Sequence, residues 1–209
     1  MSLPSSPPRP TPKLRLLDCP SLKKASDDDN TIDIESIATK DLHGGRDLAM
    51  LLFVDRPNER VLLQVPNDLG WRYHYGLSIP GEGDGDSDRW GDATDACRGA
   101  LRRQDPEAVA PLRPAGLMLF TFPSVEGHRP MRVRVLENDV SEMSDVQGRY
   151  GGSWFDYGRV PYPKMWRDDE LWLPRLLEAK DSSFFEGQFV FDGPPGPSSR
   201  VVDYKVEFR

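Results

Sequence analysis

The chain has 209 residues and a mass of 23.6 kDa, which is the size of one domain with ordinary ends. Its 27 Lys and Arg residues against 34 Asp and Glu residues give a formal net charge of −7, so the overall field does not attract a nucleic-acid polymer or an anionic membrane. Twenty prolines and 18 glycines argue against an all-helical bundle. The composition therefore predicts a loop-rich, mixed domain without a nucleic-acid or membrane partner.

The two ends of the chain differ in composition. Residues 1–46 are rich in Pro and Ser and poor in apolar residues, which predicts a flexible tail followed by one domain at 47–209. No apolar run approaches the roughly 20 residues that a membrane span needs, and the N-terminus lacks the apolar core of a secretory signal. The two cysteines, Cys19 and Cys97, are few enough for a reducing compartment. We expect a cytoplasmic protein with free thiols.

The first half of the domain contains a hairpin, a loop and a helix in the predicted pattern. Apolar runs at 48–54 and 60–65 surround a turn and predict a buried β-hairpin. Residues 66–92 are dense in Gly, Asp and aromatic residues, which predicts irregular structure typical of binding loops. A short helix then follows, capped by Asp92 and ended by Pro106. Its apolar residues at helical spacing are Ala93, Ala96, Cys97, Ala100 and Leu101.

The second half alternates between strand and helix patterns. A helix is predicted at 170–180, where Pro174 must lie in the first turn or kink the helix. Apolar or alternating runs predict strands at residues 117–122, 131–135, 154–156, 187–191 and 201–208.

This order of elements and the C-terminal motifs resemble the Nudix hydrolases, specifically the MutT-homologue branch that hydrolyses oxidised purine nucleoside triphosphates. The stretches at 160–169 and 171–177 are similar to that branch, as is the Gly-Gln-Phe-Val-Phe run at 187–191 followed by Val-Asp-Tyr at 202–204. The similarity spans about residues 47–208. The resemblance implies an α+β Nudix fold with a mixed β-sheet between helices.

The resemblance also implies a base pocket built on a Trp-x-Asp-Asp motif. Trp166 would stack on a purine, and Asp168 and Asp169 would hydrogen-bond its edge. Stacking on a flat aromatic is worth about 1–3 kcal/mol, and adjacent carboxyls in a dry pocket share a proton. Alternatively, the two carboxylates only favour the dipole of the first helical turn. Three further residues are candidates for lining the pocket, although packing under a loop also explains them: Met165, His74 and Tyr75.

The metal-binding half of the Nudix motif is altered. The family pattern Arg-Glu-U-x-Glu-Glu, with U an aliphatic residue, holds Mg²⁺ on one helix face, but residues 98–103 read Arg-Gly-Ala-Leu-Arg-Arg. Gly99, Arg102 and Arg103 replace the three carboxylates, and each cation repels a divalent metal by about 1 kcal/mol per charge pair at about 4 Å in water. We therefore expect no metal site and no Mg²⁺ cofactor. Arg102 and Arg103 either bind phosphate directly or form a solvated helix face.

The acidic residues at 84–95 offer a rival ion site. Their spacing is similar to that of a calcium-binding loop, but Arg89 occupies the place where such a loop needs glycine, and a solvated acidic loop is the simpler interpretation.

Three functions are compatible with these residues. The first is a divergent Nudix-fold protein that keeps a purine-type pocket for a small nucleotide-like or flat heterocyclic ligand and lacks standard Mg²⁺-dependent pyrophosphatase chemistry. The second is a metal-independent isomerase, cyclase or hydrolase acting on a small metabolite, with Asp168 and Asp169 as its catalytic acid and base. The third is a scaffold protein with a vestigial pocket.

Overall fold

The structure is a computed structural model that describes residues 45–64, 75–79, 89–104, 111–141, 143, 145–179, 183–194 and 196–209. The predicted tail up to residue 44, His74 and the acidic residues at 84–88 lie outside these residues. Cys97 lies inside them as a buried free thiol, and burial raises its pKa to about 12.

The described residues contain eight strands that form one mixed sheet. The order across the sheet is β6-β2-β1-β5-β4-β7-β8, and β3 pairs with β1 as well. The pairs β1–β5 and β4–β7 are parallel, and the others are antiparallel. The strands are β1 (Arg46–Asp55), β2 (Arg60–Leu63), β3 (Tyr75–Ser78), β4 (Leu112–Thr121), β5 (Met131–Asp139), β6 (Ser153–Asp156), β7 (Phe185–Asp192) and β8 (Arg200–Phe208).

Helices cover both faces of this sheet. They are α1 (Trp90–Gln104), α2 (Val146–Tyr150) and α3 (Asp169–Glu178), with short 3₁₀ helices at Tyr157–Arg159 and Tyr162–Lys164. The predicted α+β fold with a mixed sheet between helices is therefore confirmed. None of the helices in the described part of the chain has the length and apolar character needed to cross a membrane.

The alternation of side chains along β1 divides the core into two layers. Leu52 and Val54 pack with α3 on what we call the α3 face. Leu51 and Phe53 pack with α1 and α2 on the opposite side, the α1 face. All four side chains are fully buried, because β1 lies near the middle of the sheet and both of its sides are covered.

Most sequence-based elements agree with the structure, and the main difference lies between residues 66 and 92. The prediction of purely irregular structure there is wrong, because β3 lies at Tyr75–Ser78 and pairs with β1 from Leu51 to Leu48. Pairing with an existing strand edge supplies hydrogen bonds that a short, glycine-containing segment does not signal by itself.

The start of α1 also differs from the prediction. The helix begins at Trp90, so Asp92 lies in its first turn and is not its cap. Arg89 fixes this start, since its side chain donates to Asp92 and Asp47 at 2.9 Å each and its carbonyl accepts from the Ala93 N–H at 3.0 Å. Asp47 lies on β1, so this contact joins the helix start to the sheet.

Two other local features were not predictable from periodicity. The five-residue helix α2 is too short for an apolar pattern; Asp145 caps it by accepting a hydrogen bond from the Gly148 N–H at 3.2 Å. Pro174 is the sixth residue of α3 and so lies in the second turn, not in the first.

Candidate functional site

Trp166 lies on the α3 face between a 3₁₀ helix and α3. Its half-buried ring stands edge-on to Phe120, with centroids 6.1 Å apart, and edge-on to Phe191, with centroids 5.9 Å apart. The preceding Met165 is fully buried in the same core. Part of the indole therefore remains accessible while its edge is fixed by the sheet.

The residues behind Trp166 form an aromatic wall, which we define as Phe120 and Phe122 of the β4 region with Phe189 and Phe191 of β7. Phe120 stacks on Phe189 at 5.4 Å, and Phe122 stacks on Phe191 at 5.4 Å. These rings meet because β4 and β7 are adjacent parallel strands whose alternate residues face the same side. The parallel pairing of β4 and β7 therefore brings the phenylalanines of both strands together into one apolar surface.

His128 extends this wall on the loop between β4 and β5. Its imidazole stands edge-on to Phe122 with centroids 4.8 Å apart. Neither the wall nor His128 was among the sequence-based candidates. The only sequence signal for this wall is a phenylalanine at every second position at the end of β4 and in β7. The sequence does not show that these two strands pair.

Asp168 is buried directly before α3 and is only 2% exposed. It occupies the N-cap position but makes no side-chain cap hydrogen bond. Its Oδ2 instead accepts a hydrogen bond from the Trp172 Nε1–H at 3.1 Å, and its buried Oδ1 has no hydrogen-bond partner in the structure described. The Asp168 side chain therefore leaves one acceptor unused, and the choice between a ligand role and a role at the helix dipole stays a prediction.

Burial also changes the acidity of this site. It raises the pKa of Asp168 from 3.8 to about 7, against the opposing effect of the Trp172 hydrogen bond. Asp169, the first residue of α3, is 4% exposed. Burial, followed by the charge of Asp169, raises the pKa of Tyr162 to about 12. Near neutral pH the site can thus hold a proton on one carboxyl beside a second carboxyl.

Tyr162 adds a second buried polar atom to this region. Its half-buried side chain packs against the α3-face core, and its hydroxyl is buried without a hydrogen-bond partner in the described ranges. A phenol both donates and accepts. Tyr162 was not a sequence-based candidate, because tyrosine in a proline-rich turn carries no distinctive pattern.

Packing behind α3 fixes the position of Asp168. Trp172 is fully buried and stacks on Phe185 with centroids 4.7 Å apart and an interplanar angle of 13°. Phe185 faces Gly116 across the β4–β7 pair, and a Cβ on Gly116 would lie 2.1 Å from the Phe185 ring. The absence of a side chain at Gly116 therefore makes room for the stack that holds Asp168.

The C-terminal end of α3 is held by Arg56 from the β1–β2 turn. Its Nη1 donates to the Ala179 carbonyl at 2.7 Å, and its Nε and Nη2 donate to the buried Glu137 carboxylate at 2.8 Å each. A cation at a helix C-terminus satisfies carbonyls that have no helical partner. Both ends of α3 are thus tied to the sheet.

The remaining predicted site residues are placed elsewhere or only in part. The backbone of Tyr75 lies on β3 opposite Leu51, and its side chain is outside the described residues. Arg102 and Arg103 are exposed on the last turn of α1, which packs on the α1 face, whereas Trp166 lies on the α3 face. None of the described contacts links Arg102 or Arg103 to Trp166, so the ligand-binding role of the two arginines stays a prediction.

The altered helix motif lies in a regular part of α1. Ala100 and Leu101 are buried against the core, and Arg98 is exposed with Asp95 3.8 Å away. A Cβ on the half-buried Gly99 would have Arg103 Nη1 as its nearest neighbour, at 3.8 Å. Within the described ranges no group of three or more His, Cys, Asp or Glu side chains could hold a metal ion.

Comparisons with known proteins find relatives of this chain in sequence and in structure. No family model matches the chain. Over 54 residues the chain is 45% identical to an oxidized purine nucleoside triphosphate hydrolase from Danio rerio, a segment that covers 26% of this chain and 30% of that protein. The chain thus spans less than a third of that relative's length.

The structural relative covers a larger part of the chain. The fold matches the crystal structure of a MutT mutator protein from Bacillus halodurans with a TM-score of 0.51 and 14% identity, over 78% of this chain and 97% of that one. At that identity the likeness concerns the fold. Together the two comparisons confirm the predicted resemblance to the Nudix hydrolase superfamily, with the mixed-sheet fold of the MutT proteins.

Proposed function

We propose that this protein binds a small ligand with a purine-like or other flat heterocyclic ring on Trp166, with Asp168 and Asp169 at the edge of that ring. The observation that carries the proposal is the unpartnered, buried Asp168 Oδ1, two residues along the chain from a half-buried indole. A buried polar atom without a partner costs about 1–3 kcal/mol. A ligand that supplies the missing hydrogen bond recovers that cost.

The acidity of the site supports recognition of a heterocycle edge. With its pKa raised to about 7, Asp168 is present both as a carboxylic acid and as a carboxylate at neutral pH. A protonated carboxyl donates a hydrogen bond, and a neighbouring carboxylate accepts one. Purine edges present alternating donors and acceptors. The 54-residue similarity to a hydrolase of oxidized purine nucleoside triphosphates points to the same ligand class.

We further propose that the protein is not a standard Mg²⁺-dependent pyrophosphatase. Gly99, Arg102 and Arg103 stand where the family resemblance requires metal-binding glutamates. Exposed guanidinium groups favour phosphate oxygens directly. In this proposal Arg102 and Arg103 offer a phosphate group a metal-free partner on α1, apart from the ring bound at Trp166.

A second candidate function follows from the same acidity. A carboxyl that titrates near pH 7 is suited to general acid–base catalysis, which contributes about 10²–10⁴-fold in rate. In this alternative Asp168 and Asp169 act as a proton-transferring pair in a metal-independent isomerase, cyclase or hydrolase.

The first experiment is calorimetric titration of oxidised and normal purine nucleoside mono- and triphosphates into the full chain, with excess Mg²⁺ and then with chelator. We expect binding that Mg²⁺ does not strengthen. Trp166→Ala should weaken binding by about 5- to 150-fold, which corresponds to a stacking energy of 1–3 kcal/mol. Trp166→Phe is the matched control, because it keeps an aromatic face.

Pyrophosphate release measured in the same samples separates the outcomes. Release that requires Mg²⁺ would overturn the proposed loss of metal chemistry. Binding without turnover that fails in Asp168→Asn and persists in the exposed control Asp156→Asn would support the binding function. Absence of binding by every flat heterocycle tested would refute the pocket itself.

A further inference from the structure

The outer edge of β8 is open in the structure as described. β8 pairs with β7 alone among the strands of the sheet. An edge strand presents a row of backbone N–H and C=O groups that can pair with another strand. Within the described ranges, the large hydrophobic side chains that are exposed are Val202, at 48%, and Tyr204, at 38%. The open edge strand therefore also carries exposed large apolar side chains, whereas the other large apolar side chains in the described ranges are at least partly buried.

The sequence of β8 is self-complementary about its middle residue. Tyr204 is the centre of the nine-residue strand, and the five residues around it read Val-Asp-Tyr-Lys-Val. Read in the opposite direction, the two valines exchange places and the two charged residues exchange sign. A second copy running antiparallel thus meets apolar residues with apolar residues, and an acid with a base.

We propose that β8 is the interface of a homodimer in which two copies pair antiparallel, edge to edge, with Tyr204 on the twofold axis. In that arrangement Asp203 faces Lys205 of the second copy twice. The register of β8 with β7 is regular from Phe208 to Asp203 and shifts at Val202, so the pairs next to the axis supply the regular backbone hydrogen bonds. The sheet then continues without interruption from one copy into the other.

The charges on β8 select this register over its neighbours. In a twofold edge-to-edge pair, facing residues lie on the same side of the sheet, so the axis passes through a single residue. Moving the axis to residue 203 places Asp203 opposite Asp203 of the second copy. Moving it to residue 205 places Lys205 opposite itself and Asp203 opposite Glu207. Like charges directly opposite one another are destabilising, so the Tyr204 register is favoured over both of these neighbours. An axis at residue 206 would also pair opposite charges, Lys205 with Glu207 and Asp203 with Arg209, and the crosslink described below distinguishes it from the Tyr204 register.

The surroundings of Asp203 agree with this pairing. Burial raises the pKa of Asp203 above its usual value, so its carboxylate gains from a facing cation. Lys205 Nζ lies 3.8 Å from Glu207 Oε1 on the same strand, which keeps the ammonium group on the side of the sheet that Asp203 shares.

Charge-exchange variants of the full chain test the interface. Sedimentation equilibrium at concentrations up to about 100 μM detects any dimer with an affinity useful in a cell. We expect the wild-type chain to dimerise and each single variant, Asp203→Lys or Lys205→Asp, to dimerise at least tenfold more weakly, because each places like charges opposite one another. The double variant Asp203→Lys with Lys205→Asp should dimerise like the wild type, since it restores both opposite-charge pairs.

Mixing the two single variants gives the sharpest outcome. Each is self-repelling, but the lysines of one face the aspartates of the other at positions 203 and 205, so a mixed dimer should form at wild-type strength. Equal melting temperatures confirm that all variants are folded. A wild-type chain that stays monomeric, as expected if residues 1–44 cover β8, or a mixture that behaves like its components, would overturn the proposal.

A crosslink tests the register directly. Tyr204→Cys places two thiols opposite each other, with Cα atoms about 4.5–5.5 Å apart, which is within reach of a disulfide. Val202→Cys is the matched control, because its two copies lie about 13 Å apart in this register. We expect oxidation to crosslink the first variant above the wild-type background and to leave the second at that background. Equal crosslinking of both would refute the register.

Discussion

Asp168 is the residue whose chemistry departs most from its sequence-based description. Its position before a helix suggests a cap, but its side chain contacts Trp172 and keeps Oδ1 unpartnered in the part of the chain described. Burial of an ionisable group without a countercharge is costly. In the proposed function this carboxyl binds the ligand at the expense of stability, as ligand-binding groups often do.

The pKa of Asp168 predicts how stability depends on pH. The folded pKa is raised from 3.8 to about 7 by burial, so between these values the folded state binds more protons than the unfolded state. The protonated Asp168 carboxyl contributes fully to the free energy of unfolding below pH 4. This contribution is lost as pH rises through 7, and the free energy of unfolding falls by up to about 1.4 kcal/mol per pH unit. Asp168→Asn should remove this slope.

Urea denaturation at several pH values between 4 and 8 measures the effect. The variant should gain stability relative to the wild type as pH rises, while the exposed Glu126→Gln control should follow the wild type. Parallel curves for wild type and Asp168→Asn would mean that Asp168 ionises normally in the fold.

Sequence alone located the contiguous residues of the candidate site and missed the residues that surround them in the fold. Trp166, Asp168 and Asp169 stand in one short motif, so a resemblance could locate all three. Phe120 and Phe191 contact Trp166 from strands that lie 46 and 25 residues away along the chain. Such contacts depend on which strands pair, and one sequence does not specify that pairing.

At the scale of elements, the β4–β7 pair controls the geometry of α3. Gly116 leaves room for Phe185, which stacks on Trp172, which in turn binds Asp168. Gly116 lies on β4, Phe185 lies on β7, and Trp172 and Asp168 lie at the start of α3. The Asp168 carboxyl is thus positioned by a glycine in a neighbouring strand.

Gly116→Ala should therefore impair both stability and the site. The added Cβ would lie 2.1 Å from the buried Phe185 ring, and such overpacking costs about 1–3 kcal/mol. Gly158→Ala is the matched control, because nothing lies within 4 Å of its Cβ, and its effect should stay within about 0.5 kcal/mol. Urea denaturation gives both values. Equal stability of the two variants would show that Phe185 moves freely.

The elements themselves were largely predictable. The β1–β2 hairpin, the later strands and both longer helices follow from apolar periodicity, which reflects burial on one or two sides. β3 and α2 were missed because each is held by its surroundings: β3 by the edge of β1, and α2 by the Asp145 cap. Short elements of this kind carry too few residues for a periodic signal.

At the scale of the molecule, the two faces of the sheet carry the two halves of the predicted Nudix site. Trp166 and the aromatic wall lie on the α3 face, whereas Gly99, Arg102 and Arg103 lie on α1, which packs on the opposite face. In our proposal the base pocket and the positions of the family's metal-binding glutamates therefore belong to separate elements. A change at one set of positions need not disturb the other.

Restoring the carboxylates on α1 tests this separation. The triple variant Gly99→Glu, Arg102→Glu, Arg103→Glu should gain Mg²⁺ binding, because three carboxylates replace two cations; the positions of both arginines are exposed, and the Gly99 Cβ has no neighbour nearer than 3.8 Å. The corresponding triple glutamine variant is the control for shape. Calorimetric titration with Mg²⁺ measures the gain, and Mg²⁺ binding by the wild-type chain itself would contradict the proposed loss.

The central position of β1 has a consequence for the chain during its synthesis. Leu51, Leu52, Phe53 and Val54 are apolar on both sides of the strand and fully buried in the finished fold. The parallel partner that covers one edge of β1 is β5, which begins 85 residues later, at Met131 opposite Arg46. Until β5 has left the ribosome, a two-sided apolar strand has an open edge, which is the feature most prone to aggregation. A nascent chain of this protein therefore carries this open apolar edge until Met131–Asp139 can pair with β1.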